Sequence, residues 1–195
     1  MRLGVYGGTF DPIHIAHLII AEQARIDLNL DLVYFVPSYI PPHKTRKIIS
    51  SSHHRLKMVE IAAATNPYFA VSDYEIAKKG TSYTVDTLRH YIDTYDLTPD
   101  QLFLIIGSDN FVDFDQWKDP EEIKSISQLV VAGRPHQQND QHRQHDHIIW
   151  LNSPLMEISA TDIRQRLTQG RSIRYLVPMG VENYIKMFKL YTLEH

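Results

Sequence analysis

The sequence contains no cysteine, and this absence excludes several kinds of chemistry. Without cysteine the chain can form no disulfide framework and no thiolate metal site. A covalent intermediate on a cysteine nucleophile is excluded for the same reason. No Ser-His-Asp order suggests a covalent intermediate on serine either.

The chain also lacks an excess of basic residues and any long apolar run. Its formal net charge is -3, whereas proteins that bind the phosphate backbone normally carry a clear basic excess, so we expect no nucleic-acid partner. The first apolar run, Arg2 to Tyr6, is too short for a signal peptide, and no window reaches membrane-spanning length. We therefore expect a cytoplasmic protein without a membrane partner. The sequence leaves open whether the chain forms a homo-oligomer.

The length and composition are those of one globular domain. The chain has 195 residues, of which 43% are hydrophobic and 22% charged. We expect a single domain over residues 1–192. Residues 193–195 resemble the start of a vector-encoded affinity tag.

Short apolar runs alternate with segments of helical spacing along the chain. Predicted strands are Leu3 to Tyr6, Leu32 to Val36, Phe69 to Ser72, Leu102 to Ile106, Leu129 to Ala132 and Ile148 to Leu151. Predicted helices are Ile13 to Leu28, Arg55 to Thr65, Tyr83 to Tyr95, Glu121 to Ile126 and Thr161 to Gln169. Alternating strands and helices predict an α/β fold, a Rossmann-like doubly wound parallel sheet. Such sheets bind ligands beyond the carboxyl ends of their strands.

The segment Gly7 to His17 follows the first strand and carries the strongest functional pattern. Two glycines allow close backbone approach, while Asp11 as N-cap and Pro12 as first helical residue predict a helix start facing the crevice. A helix N-terminus there would bind phosphate. His14 and His17 would lie on one helical face and donate hydrogen bonds to a polyphosphate.

Five further segments also follow a strand or precede a helix, and each has a plainer alternative. They are Pro37 to Lys44, Gly80 to Leu88, Ile105 to Phe111, Phe114 to Pro120 and Ile158 to Arg164. The first could be an ordinary surface loop. Ser82, Thr84, Ser108 and Asp109 could serve only as helix caps, and Trp117 could cover the core. Ser159 is predicted to cap the last predicted helix.

Two features have plausible structural roles outside any site. Arg55 could be a solvated helix charge. The stretch from Gly133 to His147 contains four histidines, His136, His142, His145 and His147, and could bind metal. Its spacing matches no recognisable zinc site, so an exposed surface loop is the favoured interpretation.

Taken together, these motifs make the chain resemble the bacterial nicotinate-nucleotide adenylyltransferases, a family of the His-x-Gly-His nucleotidyltransferase superfamily. One position departs from that pattern, because Ala16 replaces the usual glycine before the second histidine. The resemblance implies ATP binding by Gly7, Gly8, Thr9, Phe10, His14, His17, Gly107, Asp109, Arg134, Ser159, Ala160 and Arg164. It implies mononucleotide binding by Thr9, Lys44, Tyr83, Thr84, Asp109 and Trp117. Arg55 belongs to an element that organises the Lys44 loop in the family.

The expected reaction is adenylyl transfer from ATP to nicotinate mononucleotide, giving nicotinate adenine dinucleotide and pyrophosphate. His14, His17, Lys44 and Arg164 would align the phosphates and neutralise charge, with Mg²⁺ carried by ATP and no metal site built by the protein alone. Three alternatives are adenylyl transfer to another phosphate such as phosphopantetheine, a non-catalytic nucleotide-binding module, and a metal-binding protein using the histidine-rich loop. Preference for nicotinate over nicotinamide mononucleotide depends on the placement of backbone amides.

Overall fold

Six parallel strands form one sheet in the structure, a computed structural model that describes residues 1–40, 50–133, 148–154 and 156–192. The strands are β1 (Leu3–Gly8), β2 (Leu32–Pro37), β3 (Phe69–Val71), β4 (Leu102–Gly107), β5 (Gln128–Ala132) and β6 (Ile148–Leu151). Their order is β3-β2-β1-β4-β5-β6, and every neighbouring pair is parallel. The direction of winding therefore reverses between β1 and β4, where Leu3 pairs with both Leu32 and Leu102.

Helices connect these strands and follow the last one. They are α1 (Ile15–Asp27), α2 (Ser52–Ala63), α3 (Tyr74–Lys78), α4 (Thr84–Tyr95), α5 (Ser108–Phe111), α6 (Pro120–Ile126), α7 (Ala160–Thr168) and α8 (Met179–Met187), with a 3₁₀ turn at Phe114–Gln116. No helix in these ranges is both long and apolar enough to cross a membrane.

The strands are apolar along nearly their whole length because helices cover both faces of the sheet. On one face Tyr6, Phe35 and Ile105 pack with residues of α1, α2, α7 and α8. On the other face Val5 and Leu104 pack with residues of α4 and α6. The doubly wound parallel sheet predicted from the sequence is confirmed.

The predicted start of the first helix is wrong. His14, not Asp11, is the N-cap of α1, and Pro12 lies outside the helix. The Asp11–Pro12 peptide bond is cis, and His14 is extended, with φ of -141° and ψ of 171°. The first helical amide, that of Ile15, donates to the carbonyl oxygen of Leu176 at 2.9 Å, so a distant segment helps set where the helix begins.

The other helix caps divide between confirmed and corrected predictions. Ser159 caps α7 as expected, because its Oγ accepts a hydrogen bond from the Asp162 amide at 3.0 Å. The N-cap of α4 is Tyr83, so neither Ser82 nor Thr84 has that role. The sequence did not predict α3, α8 or the 3₁₀ turn, and for α5 it indicated only a helix start after Gly107.

Candidate active site

A cavity of about 740 Å³ opens at the carboxyl ends of β1 and β4, where the winding of the sheet reverses. This is where doubly wound sheets bind ligands. Its walls include four parts of the chain in particular: the loop after β1, the turn before α4, the segment after β4, and the start of α7. These are segments in which the sequence predicted functional residues.

The loop after β1 lets a ligand reach the backbone at Gly7. A Cβ built on Gly7 would meet no atom within 4 Å, and Gly7 lines the cavity. At Gly8 a Cβ would lie 2.8 Å from the ring of Phe10, which is buried and has φ of 50°. Gly7 therefore leaves space for a ligand, while Gly8 leaves space for the phenylalanine. Ala16, which stands where the family has glycine, also lines the cavity.

The two histidines of the motif are stacked on one another. Their ring centroids lie 3.6 Å apart with an angle of 24° between the planes. The backbone N–H of His14 donates to Nδ1 of His17 at 3.1 Å. Because Nδ1 of His17 accepts this bond, a neutral His17 carries its proton on Nε2. His17 thus has a defined tautomer and lines the cavity.

Burial sets the protonation of His14. The side chain is only 6% exposed, and burial lowers its pKa from 6.5 to about 4, so the ring is neutral at pH 7 without ligand. Its Nδ1 has no hydrogen-bond partner among the described residues. A polyanion beside the ring would favour the charged form and raise the pKa.

Arg164 reaches the same loop from α7. Its Nη1 donates to the carbonyl oxygen of Asp11 at 2.6 Å, and its Nη2 donates to Oγ1 of Thr161 at 3.1 Å. Ser159, which caps the helix, and Ala160 also line the cavity. The start of α7 thus places a cation and free helix amides beside the motif of β1.

The segment after β4 brings an acidic side chain to the opposite wall. Gly107 is the N-cap of α5, and a Cβ at this position would lie 2.5 Å from Oδ1 of Asp109. A side chain at position 107 would therefore displace this carboxylate. Because Gly107 is the N-cap, the alternative in which Ser108 or Asp109 caps the helix is excluded. Burial, and then the negative charge of Asp109, raises the pKa of Tyr6.

Aromatic and hydroxyl side chains line the remaining wall. Tyr83, Thr84 and Trp117 all line the cavity. The Trp117 ring lies 5.4 Å from that of Phe114, and Nζ of Lys118 lies 4.6 Å from the centroid of Tyr83. Trp117 therefore contacts the core on one side while it borders the cavity.

The structure excludes the interpretation of Arg55 as a solvated helix charge. Arg55 is fully buried, and its guanidinium donates to the carbonyl oxygens of Thr9 at 2.7 Å and Tyr39 at 3.1 Å. It thereby joins the loop after β1 to the segment that follows β2. The family resemblance had indicated this role, because it placed Arg55 in an element that organises the loop after β2.

Glu75 and Ser38 were not predicted to lie at the site. Glu75 accepts a hydrogen bond from the Thr87 hydroxyl at 2.6 Å, and burial raises its pKa despite the hydrogen bonds that oppose this shift. The Ser82 side chain also hydrogen-bonds Glu75. Its Oγ accepts a hydrogen bond from the backbone N–H of Tyr39 at 3.0 Å. Ser38 is buried at the cavity wall, and its Oγ has no partner in the described part of the chain. No sequence pattern marked either residue, because their positions depend on tertiary contacts.

Several predicted residues lie outside the described ranges. They are Lys44, Arg134, the four histidines of the 133–147 stretch and the suspected tag residues 193–195. Within the described ranges, no group of three or more His, Asp or Glu residues is placed to hold a metal ion.

The fold and the cavity are those of a nucleotidyltransferase, and comparison with known proteins agrees. The model of the cytidylyltransferase-like family matches residues 5–166, which include both histidines and Arg164. A probable nicotinate-nucleotide adenylyltransferase of Thermoanaerobacter sp. (strain X514) is 39% identical over 200 residues, covering 98% of this chain and 94% of that protein. One of the same name from Thermomicrobium roseum is 40% identical over 201 residues, covering 97% and 91%. The chain therefore belongs to the nicotinate-nucleotide adenylyltransferase family, as the sequence motifs indicated.

A solved structure supports the fold independently. The nicotinic acid mononucleotide adenylyltransferase of Plasmodium falciparum complexed with NaAD superimposes with a TM-score of 0.80 over 97% of both chains. The two sequences are only 21% identical, so this similarity concerns the fold alone.

Proposed function

We propose that this protein transfers the adenylyl group of ATP to the phosphate of nicotinate mononucleotide, producing nicotinate adenine dinucleotide and pyrophosphate in NAD biosynthesis. The observation that carries the proposal is the stacked His14–His17 pair beside the open backbone of Gly7, in a chain about 40% identical to named members of this family. The curated names argue against phosphopantetheine as acceptor.

The reaction needs alignment and charge neutralisation more than proton transfer. An oxygen of the mononucleotide phosphate forms a bond with the α-phosphorus of ATP, and the bond from that phosphorus to the bridging oxygen of pyrophosphate breaks. Because the attacking oxygen is already anionic, no general base is required. Negative charge develops on the leaving pyrophosphate and must be stabilised.

We assign that stabilisation to groups on one side of the cavity. His17 Nε2–H, the free amides at the start of α7 and the Arg164 guanidinium would contact the phosphates of ATP together with Gly7, Gly8, Thr9, Phe10 and His14. Ser159 and Ala160 supply part of the α7 start, and Gly107 with Asp109 would hold the adenosine. Lys44 and Arg134, outside the described residues, remain proposed phosphate contacts.

The other wall would bind the mononucleotide. A flat pyridine ring can stack on Trp117, while Tyr83 and Thr84 offer a hydroxyl and backbone amides beside it. We further propose that Mg²⁺ enters as the complex with ATP. A Mg²⁺ ion held largely by phosphates and water suits a cavity whose described residues include no metal-binding cluster.

The test is pyrophosphate release from MgATP with nicotinate mononucleotide, nicotinamide mononucleotide or phosphopantetheine in turn. We expect the fastest release with the nicotinate compound. His17→Ala should lower kcat by about 10²-fold or more, since removing one donor to a developing charge typically costs that much. Its thermal stability should change far less.

His90→Ala is the matched control, because His90 stacks on Tyr74 and does not line the cavity. It should retain nearly full activity. Faster release with phosphopantetheine would refute the acceptor, and His17→Ala that mainly unfolds the protein would refute the role of His17.

A further inference from the structure

The last described turn of the chain reaches back to the motif that follows β1. The hydroxyl of Tyr191 donates to Oδ1 of Asp11 at 2.6 Å, across 180 residues of sequence. Both side chains are buried, with 8% of Tyr191 and 3% of Asp11 exposed. Burial, followed by the negative charge of Asp11, raises the pKa of Tyr191, so its hydroxyl keeps its proton and acts as donor.

Asp11 connects this tyrosine to the cavity. Its carboxylate binds Tyr191, while its backbone carbonyl oxygen accepts from Nη1 of Arg164 at 2.6 Å. Asp11 itself lines the cavity, directly after Phe10. The orientation of one residue therefore links the end of the chain to the arginine proposed to bind ATP phosphates.

Two further contacts connect the Tyr191–Asp11 pair to the segment around the start of α2. The Ser50 side chain hydrogen-bonds the same hydroxyl, and Ser50 lies just before α2. From α2 the buried Arg55 guanidinium, which donates to the Thr9 carbonyl oxygen, interacts electrostatically with Asp11. The hydroxyl thus lies where the first loop, α2 and the chain end meet.

A buried carboxylate that loses a donor is costly to leave in place. Without the Tyr191 hydroxyl, the Asp11 side chain would turn toward another donor and carry its backbone with it. The carbonyl oxygen that anchors Arg164 would then shift. Small displacements of groups that align reacting phosphates reduce rates strongly.

We propose that Tyr191 is a positioning residue for adenylyl transfer, which acts through Asp11 to hold Arg164 against the ATP phosphates. This inference rests on the proposed function. It assigns a role to a residue that does not line the cavity and lies outside every motif in the sequence.

The test compares Tyr191→Phe with Tyr184→Phe in the full chain. Tyr184 is a matched control, because its hydroxyl also joins the C-terminal part of the chain to another segment, bonding Nδ1 of His54 at 2.9 Å, and it does not line the cavity. Tyr191→Phe should raise KM for ATP about fivefold or more and lower kcat about tenfold, with KM for nicotinate mononucleotide unchanged. Tyr184→Phe should change kcat and the KM values for ATP and nicotinate mononucleotide by less than twofold.

A double variant separates positioning from general destabilisation. In an Arg164→Lys background, Tyr191→Phe should change KM for ATP by less than twofold, because effects that act through one contact are not additive. Equal effects of the two tyrosine variants, or a full multiplication of effects in the double variant, would overturn the inference. If wild type releases no pyrophosphate with nicotinate mononucleotide, the proposed function fails instead.

Asp11→Asn provides a second variant in case Tyr191→Phe does not fold. The amide oxygen still accepts from Tyr191, but more weakly than a carboxylate. KM for ATP should rise in the same direction by a smaller factor. A normal KM for ATP in this variant would contradict the role of the Asp11 contact.

Discussion

Replacing His14 with asparagine should make the fold less sensitive to mild acid. Burial holds the pKa of His14 at about 4 in the folded protein, whereas the unfolded chain has the ordinary value of 6.5. Between these values the unfolded state binds a proton that the folded state does not. The free energy of unfolding must therefore fall as pH decreases from about 6.5 to about 4.

The size of this effect follows from the difference between the two pKa values. One pKa unit corresponds to about 1.4 kcal/mol, so a lowering from 6.5 to about 4 gives roughly 3 kcal/mol as the full loss across the window. His14→Asn removes the titrating group while it keeps a polar side chain. The variant should be less stable than wild type at pH 7 because it loses packing, and the gap should close by about 2–3 kcal/mol near pH 4.

Urea unfolding at several pH values between 4 and 7.5, without nucleotide, measures this difference. His90→Asn shows what the loss of a histidine outside the cavity does under the same conditions. A proton NMR titration of the His14 ring gives the pKa directly. Parallel stability curves for wild type and His14→Asn would show that His14 accepts a proton in the folded state, and the burial argument would be wrong.

Two other substitutions test how local geometry supports the site. Gly107→Ala places a methyl group 2.5 Å from Oδ1 of Asp109, so the carboxylate must move and KM for ATP should rise about tenfold or more while the thermal midpoint changes little. An unchanged KM would contradict the role of Asp109. Ser159→Ala removes the cap of α7 and should cost about 1 kcal/mol of stability, a shift of roughly 2–4 °C in Tm. Ser51→Ala removes the cap of α2 and should cost a similar amount, but only Ser159→Ala should also raise KM for ATP, because α7 carries Arg164.

The sheet and most of its connections could be predicted from the sequence because they depend on local patterns. The apolar runs place each strand within one or two residues of its observed bounds. Strands alternating with helical segments predict parallel pairing, since right-handed crossovers allow little else. Ser159 could be predicted as a helix cap because its hydroxyl binds an amide only three residues away.

The helix start at Ile15 could not be predicted in the same way. Asp11 and Pro12 have the residue types of a cap and a first helical residue, yet both precede the helix. Asp11 is held by Arg164 and Tyr191, and the Ile15 amide is held by Leu176; none of these partners is close in sequence. Local propensity is a weak constraint where so many distant groups bind one loop.

The same distinction explains which site residues were found. Gly7, His14 and His17 were recognisable because the chemistry of a phosphate-binding turn requires certain residue types at certain spacings. Arg55 and Glu75 hold neighbouring segments of the site through hydrogen bonds, and another donor or carboxylate in the same position could make such bonds. The role of Glu75 appears only when tertiary contacts are known, and that of Arg55 was indicated by the family resemblance alone.

Contacts with the C-terminal part also imply an order in how the site becomes complete. The strands β1 and β4, at whose ends the crevice opens, are complete by residue 107, but the loop after β1 is fixed by the Arg164, Leu176 and Tyr191 contacts. Each of these joins residues more than 150 positions apart, so the conformational entropy of closing the chain opposes all three. The loop that binds phosphate in this proposal therefore reaches its final geometry only after α7 and the chain end have packed. A site assembled this way depends on Leu176 and Tyr191 as well as on Arg164, although neither Leu176 nor Tyr191 belongs to a motif that the sequence reveals.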